Sequence, residues 1–105
     1  MLRIHPVCIE LVRDVRPLAG QIEKYDKDQA RQLRRSATSI VLNLAEGEGS
    51  RGGTRRVRYD SALGSARETL ANLHVAEALG YVGALDAGML DRFDRVIATL
   101  VVLIK

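Results

Sequence analysis

A chain of 105 residues, 47% apolar and 28% charged, has the size and balance of one soluble domain with a single core, not of two. Aromatics are only 4% and there is no Trp, so that core must be aliphatic and alanine-rich, which favours helices in close contact. The net charge of +3 excludes no partner by itself, whereas a single cysteine excludes an internal disulfide or a thiolate metal cluster within one chain and fits a reducing cytoplasm.

The first predicted helix runs from Pro6, well suited to a first turn, to Lys24. Its apolar positions Val7, Cys8, Leu11, Val15, Leu18 and Ile22 keep helical spacing straight through Pro17. Proline removes a backbone hydrogen bond, so one helix kinked near Pro17 is expected, with a break at Pro17 as the alternative. No signal-peptide core precedes or overlaps this segment, because Glu10, Arg13 and Asp14 interrupt it.

Asp26 or Asp28 can cap the second helix, which carries the stripe Ala30, Leu33, Ala37, Ile40, Val41, Leu44 and Ala45. It ends at about Glu48, between Gly47 and Gly49. The third helix is expected from Thr54, as N-cap, to Leu79, with Gly80 as terminator and Tyr59, Leu63, Ala66, Leu70, Leu73 and Ala76 facing inward. Asp86 caps the fourth. That last helix is apolar on nearly every side from Val96 to Ile104, where Thr99 is the one polar residue. A helix apolar all round must be covered all round, so self-association through its end is expected, with fraying of that end into a sticky tail as the alternative. Its longest uninterrupted apolar run, Leu100 to Ile104, is far short of the ~20 residues of a membrane span. The sum is an all-α fold: one domain over 1–105, an antiparallel up-down-up-down four-helix bundle.

Charge is distributed unevenly. Between positions 31 and 58 lie Arg31, Arg34, Arg35, Arg51, Arg55, Arg56 and Arg58 against Glu46 and Glu48, a local balance of +5, while the remainder of the chain sums to −2. Such a patch can meet phosphate. It is equally what a solvated helix face becomes in a chain where 13 of 16 basic residues are arginine. Arg51-Gly52-Gly53 is a single RGG tripeptide at the start of a helix, whose amino end adds positive charge for a nucleic-acid backbone. Tyr59 is the only ring nearby, so base-specific reading is not expected.

Other motifs carry less. The run from Gly47 to Gly52 spells G-x-G-x-x-G, but a helix precedes it where the dinucleotide fingerprint needs a strand. His5 and His74 lack partners at metal-binding spacing, and Cys8 sits on an apolar stripe as a packing residue. No cofactor or metal is implied.

Two polar stripes remain. Ser36, Ser39, Asn43 and Glu46 share one side of the second helix, and Ser61, Ser65, Glu68 and Asn72 share one side of the third. Three readings are open: a carboxylate active site using Glu46 and Glu68, a buried hydrogen-bonded seam between the helices, or a solvent-facing surface. A seam, with Asn43 and Glu46 at its centre, best explains poor helix formers clustered mid-helix, since buried polar groups must be paired. The catalytic reading lacks a nucleophile, a metal set or a nearby histidine.

The run from Gln32-Leu33-Arg34-Arg35 through Ser39-Ile40, Asn43 and Ala45-Glu46-Gly47 resembles the Q-L-R-R-A-x-x-S-I-x-x-N-I-A-E-G signature of the four-helix bundle proteins encoded in intervening sequences of bacterial 23S ribosomal RNA genes. Gly64-Ser65-Ala66-Arg67-Glu68 looks like a rearranged form of that family's A-R-G-S-x-x-E stretch, with Leu63 where the family has arginine before the glycine. Accessory proteins of diversity-generating retroelements share the bundle. The resemblance implies a homo-oligomeric ring, typically a pentamer, with a basic surface and no catalytic activity. In the retroelement branch it implies binding to a reverse transcriptase and to nucleic acid. Two functions follow as expectations: an accessory protein that binds RNA or DNA backbone through the seven arginines, or an adaptor that docks a protein partner without touching nucleic acid.

Overall fold

The computed structural model describes residues 2–105. Four helices make up the bundle: α1 His5–Glu23, α2 Lys27–Glu48, α3 Gly52–Ala78 and α4 Ala87–Leu103, with no strand among the described residues. Short connections force sequential neighbours to run antiparallel. Contacts join α1 to α2, α2 to α3 and α3 to α4, and α4 closes back on α1. The pairing of α2 with α3 is the most extensive and that of α1 with α4 the thinnest. At 27 residues α3 is about 40 Å long, which sets the 42 Å long axis of the molecule.

Two caps lie where carboxylates allow them. Asp26 accepts the Gln29 amide at 2.9 Å to open α2, and Asp86 accepts the Met89 amide at 2.9 Å to open α4. The start of α3 differs from expectation. It begins at Gly52, two residues before Thr54, with Arg51 in the cap position and no side-chain cap. Gly52 turns the chain with φ +56, a left-handed conformation that costs glycine nothing and other residues a steric clash. Pro17 does not break α1, which continues through it to Glu23 with Pro17 exposed.

The core is aliphatic, as the composition requires: Leu11, Ile22, Leu33, Ile40, Leu44, Leu73 and Leu100 are fully buried around Phe93. Burying each such side chain contributes roughly 1.5–3 kcal/mol. Cys8 is among them, and burial, with the charge of Glu48 as a lesser cause, pushes its thiol up to about 12. The end of α4 is only partly covered. Val96 and Leu100 are buried, Ile97, Val101, Leu103 and Ile104 are half-buried, and Val102 is 63% exposed. No described helix is long and apolar enough to cross a membrane.

Candidate nucleic-acid interface

Glycine at position 47 lets α2 and α3 meet where the turn joins them. The Tyr59 ring lies against the backbone of Gly47, so that an added Cβ would stand 2.6 Å from Tyr59 Cδ1. Tyr59 is buried there. Ser50 donates to the Glu46 carbonyl at 2.7 Å, and Arg55 donates from Nε to the Gly47 carbonyl at 3.0 Å and from Nη2 to the Glu48 carbonyl at 3.4 Å. These bonds satisfy the last carbonyls of α2, where a cation is also favoured by the helix dipole. Arg55, a candidate for phosphate contact, is thereby a cap of the preceding helix.

The other candidate arginines divide into paired and unpaired. Arg31 pairs with Asp28 one turn away, Arg34 with Glu23 at 2.6 Å and Arg58 with Glu46 at 3.0 Å. All three pairs are about half exposed or more, where an ion pair contributes at most about 1 kcal/mol and exchanges readily. Arg35, Arg51 and Arg56 are exposed and have no ion pair or hydrogen bond among the described residues. Geometry groups them further. Arg34, Arg35 and Arg58 line one depression of about 480 Å³ between α2 and α3, together with Leu42, Asn43 and Glu46. Arg56 points elsewhere, into a smaller depression of about 210 Å³ with Val57, Asp60 and Ile104 beside the end of α4. Arg51 sits at the turn, next to the uncapped and exposed first turn of α3. Arg31 lies outside both depressions, on the first turns of α2.

Beneath the groove runs a line of hydrogen bonds joining α2 to α3. Thr69 Oγ1 lies 2.8 Å from Ser36 Oγ and 2.7 Å from the Ser65 carbonyl, and Ser36 Oγ reaches the Leu33 carbonyl at 3.2 Å. Ser65 donates to Ser39 Oγ at 2.8 Å, and Asn43 donates to the same oxygen at 2.9 Å. Toward the far end, Gln29 and Asn72 exchange amide bonds, Gln29 Nε2 to Asn72 Oδ1 at 3.2 Å and Asn72 Nδ2 to the Gln29 carbonyl at 3.2 Å. The buried centre of this line is Ser36 with Thr69, not Asn43 with Glu46. Glu46 is exposed and turned to Arg58, while Ser61 and Glu68 are exposed and outside the hydrogen-bonded line. Thr69 and Gln29 escaped the sequence reading. Thr69 stands one turn after Ser65 and is readable as an extension of the same face. Gln29 carries no such signal.

The two carboxylates of the catalytic reading do not converge in these grooves. Glu46 lines the depression with the arginines, and Glu68 lines two others farther along α2 and α3. Among the described residues no group of three or more His, Cys, Asp or Glu could hold a metal.

The architecture has a known counterpart. A protein of unknown function from the S23 ribosomal protein family of Bacteroides thetaiotaomicron VPI-5482 superposes with a TM-score of 0.85 over 97% of this chain and 98% of that one, at 21% identity, a likeness of fold. No curated protein matches the chain. The family model described as 23S rRNA-intervening sequence protein matches residues 2–100. That match spans nearly all four helices, and the chain belongs to the 23S rRNA-intervening sequence protein family.

Proposed function

We propose that this chain is a non-enzymatic, self-associating bundle that holds RNA or DNA by its phosphate backbone. One observation carries the reading: Arg34, Arg35 and Arg58, drawn from two helices, converge on a single open groove. Their guanidinium forks suit phosphate oxygens bidentately. Arg51 and the free N–H groups that open α3 extend the positive region around the turn. Glu23 and Glu46, which neutralise Arg34 and Arg58 at the surface, give way to phosphate at little cost because both pairs are solvated. Rings suited to stacking bases are missing from this groove, so binding follows the backbone and tolerates any sequence.

Self-association is supported by the half-covered end of α4, with Val102 63% exposed, and by Val57, also 63% exposed, one turn into α3. The family resemblance suggests five subunits. Light scattering after gel filtration tests this directly, and a monomer at micromolar concentration removes it.

Fluorescence titration of a labelled single-stranded oligonucleotide over a series of salt concentrations tests the main reading. Log affinity should fall linearly with log salt, and Arg35→Ala or Arg58→Ala should each reduce that slope by about 1. Absent binding at low salt, or affinity indifferent to salt, sinks backbone recognition.

A further inference from the structure

The end of the molecule away from the arginine turn has a different character. On the outer side of α3, Ala71, Val75 and Leu79 recur at i, i+4 and i+8 and all are exposed, Val75 at 50% and Leu79 at 56%. Tyr25, 64% exposed, belongs to the same end, stacked on Tyr81 with ring centroids 4.8 Å apart and planes 5° from parallel. Three of the six exposed large apolar residues among those described therefore gather where α1 passes to α2 and α3 to α4. Between α2 and α3 this strip borders a depression of about 390 Å³, with Ala71 and Val75 on its apolar wall. The charged side chains that line it, Asp26, Asp28 and Glu68, are all carboxylates, in a chain whose net charge is +3. Glu68 has no ion pair among the described residues, and Asp28 is engaged at the surface by Arg31, its one ion pair, and by Gln32, which donates from Nε2 at 3.0 Å.

We propose that this depression docks a basic amphipathic helix of a partner protein. An apolar side chain of that helix seats against Ala71 and Val75, and Lys or Arg on its flanks face Asp28 and Glu68. The charge decides the partner's chemistry. An acidic or phosphate-bearing ligand would meet three carboxylates, whereas a cationic helix meets opposite charge beside the apolar wall of Ala71 and Val75. The site shares no residue with the groove of Arg34, Arg35 and Arg58, so one molecule can hold a protein at one end and nucleic acid at the other. It does not depend on the nucleic-acid reading and can stand if that reading fails.

A synthetic Leu/Lys amphipathic peptide of about 14 residues, near the shortest length at which an isolated helix persists, is a suitable probe, with a Leu/Glu peptide of equal length as its counterpart. Titrated into the ¹⁵N-labelled full chain, the Leu/Lys peptide should shift the amides of Gln32, Ala71 and Val75, and the Leu/Glu peptide should leave them unmoved. Val75→Asp and Glu68→Lys, both exposed changes, should each weaken the Leu/Lys peptide about tenfold, roughly 1.4 kcal/mol. Arg35→Ala should not weaken it. Shifts confined to other surfaces, or affinity untouched by Glu68→Lys, overturn the proposal. So does loss of self-association in Val75→Asp, which would assign the depression to a second copy of the chain.

Discussion

The two seams that close this bundle are built on different principles. Between α2 and α3 the helices meet over the greatest length and bury hydroxyls, Ser36 against Thr69, with Ser39, Ser65 and Asn43 continuing the line. Between α4 and α1 the contact is thinner and its main polar link is Arg92, which donates to Asp14 at 2.8 Å. Arg92 also lies 3.8 Å from Glu10 and 4.0 Å from Asp86. The hydrogen bond to Asp14, with those carboxylates adding to it against some desolvation, raises the Arg92 pKa further above its ordinary value. Hydroxyls matched inside a close contact fix register, because a slip leaves buried polar atoms without partners. A partly exposed cation beside two carboxylates of α1, Asp14 and Glu10, tolerates a slip, since either of them can serve. The α2–α3 pair is therefore the rigid platform that holds both grooves, and α4 the helix most readily displaced.

The strongest way to break this asymmetry is Gly47→Ala. The new methyl collides with the buried Tyr59 ring, and overpacking of this kind costs about 2 kcal/mol in urea unfolding. A smaller effect than Arg92→Ala would show that the turn end of the platform yields easily.

Cys8 offers the next largest effect and reports from α1. Its folded-state thiol is raised to about 12, so the neutral form is favoured in the native protein while the unfolded thiol ionises from its ordinary value of 9.0. Native protein then binds more protons than unfolded protein between those values. Stability falls as pH rises above 9, by about 1.4 kcal/mol per unit relative to Cys8→Ala. Equal slopes in the two proteins would contradict it. Iodoacetamide labelling at pH 8 sharpens the comparison: if α4 leaves first, Cys8 reacts at denaturant concentrations below the global midpoint.

Thr69→Val should cost about 1 kcal/mol by removing one partner from a buried hydroxyl pair, and adding Ser36→Ala should cost little more, because the apolar pair leaves nothing unsatisfied. Additive losses would mean that the two hydroxyls do not act together. Arg92→Ala stands last, with a lowered Tm but a decline smaller than that of Thr69→Val.

Much of this was readable along the chain. Apolar spacing defines α2 from Ala30 to Leu44 and α1 through Pro17, and aspartates at 26 and 86 mark two helix starts. The polar stripes are legible as faces, since periodicity places Ser36, Ser39 and Asn43 on one side and Ser65 and Asn72 on one side. Their depth is not. Glu46 stands ten residues after Ser36, which turns it about 80° round the helix, so it lies out at Arg58 while its neighbour Gly47 faces Tyr59 of α3. The N-cap of α3 is Arg51, three residues before the expected Thr54, because Gly52, not a side-chain cap, makes the turn.

The arginines show the division most clearly. Sequence alone determined that seven lie between positions 31 and 58 and that the chain is helical throughout, because charge and apolar period are properties of the string. Tertiary structure decided their fates: Arg55 on the carbonyls of α2, Arg34, Arg35 and Arg58 together in one groove, and Arg56 turned toward α4. Apart from Arg31, which meets Asp28 one turn away on its own helix, whether a guanidinium caps, pairs or stays free depends on which helix packs beside it. That is a long-range contact, and no local pattern encodes it.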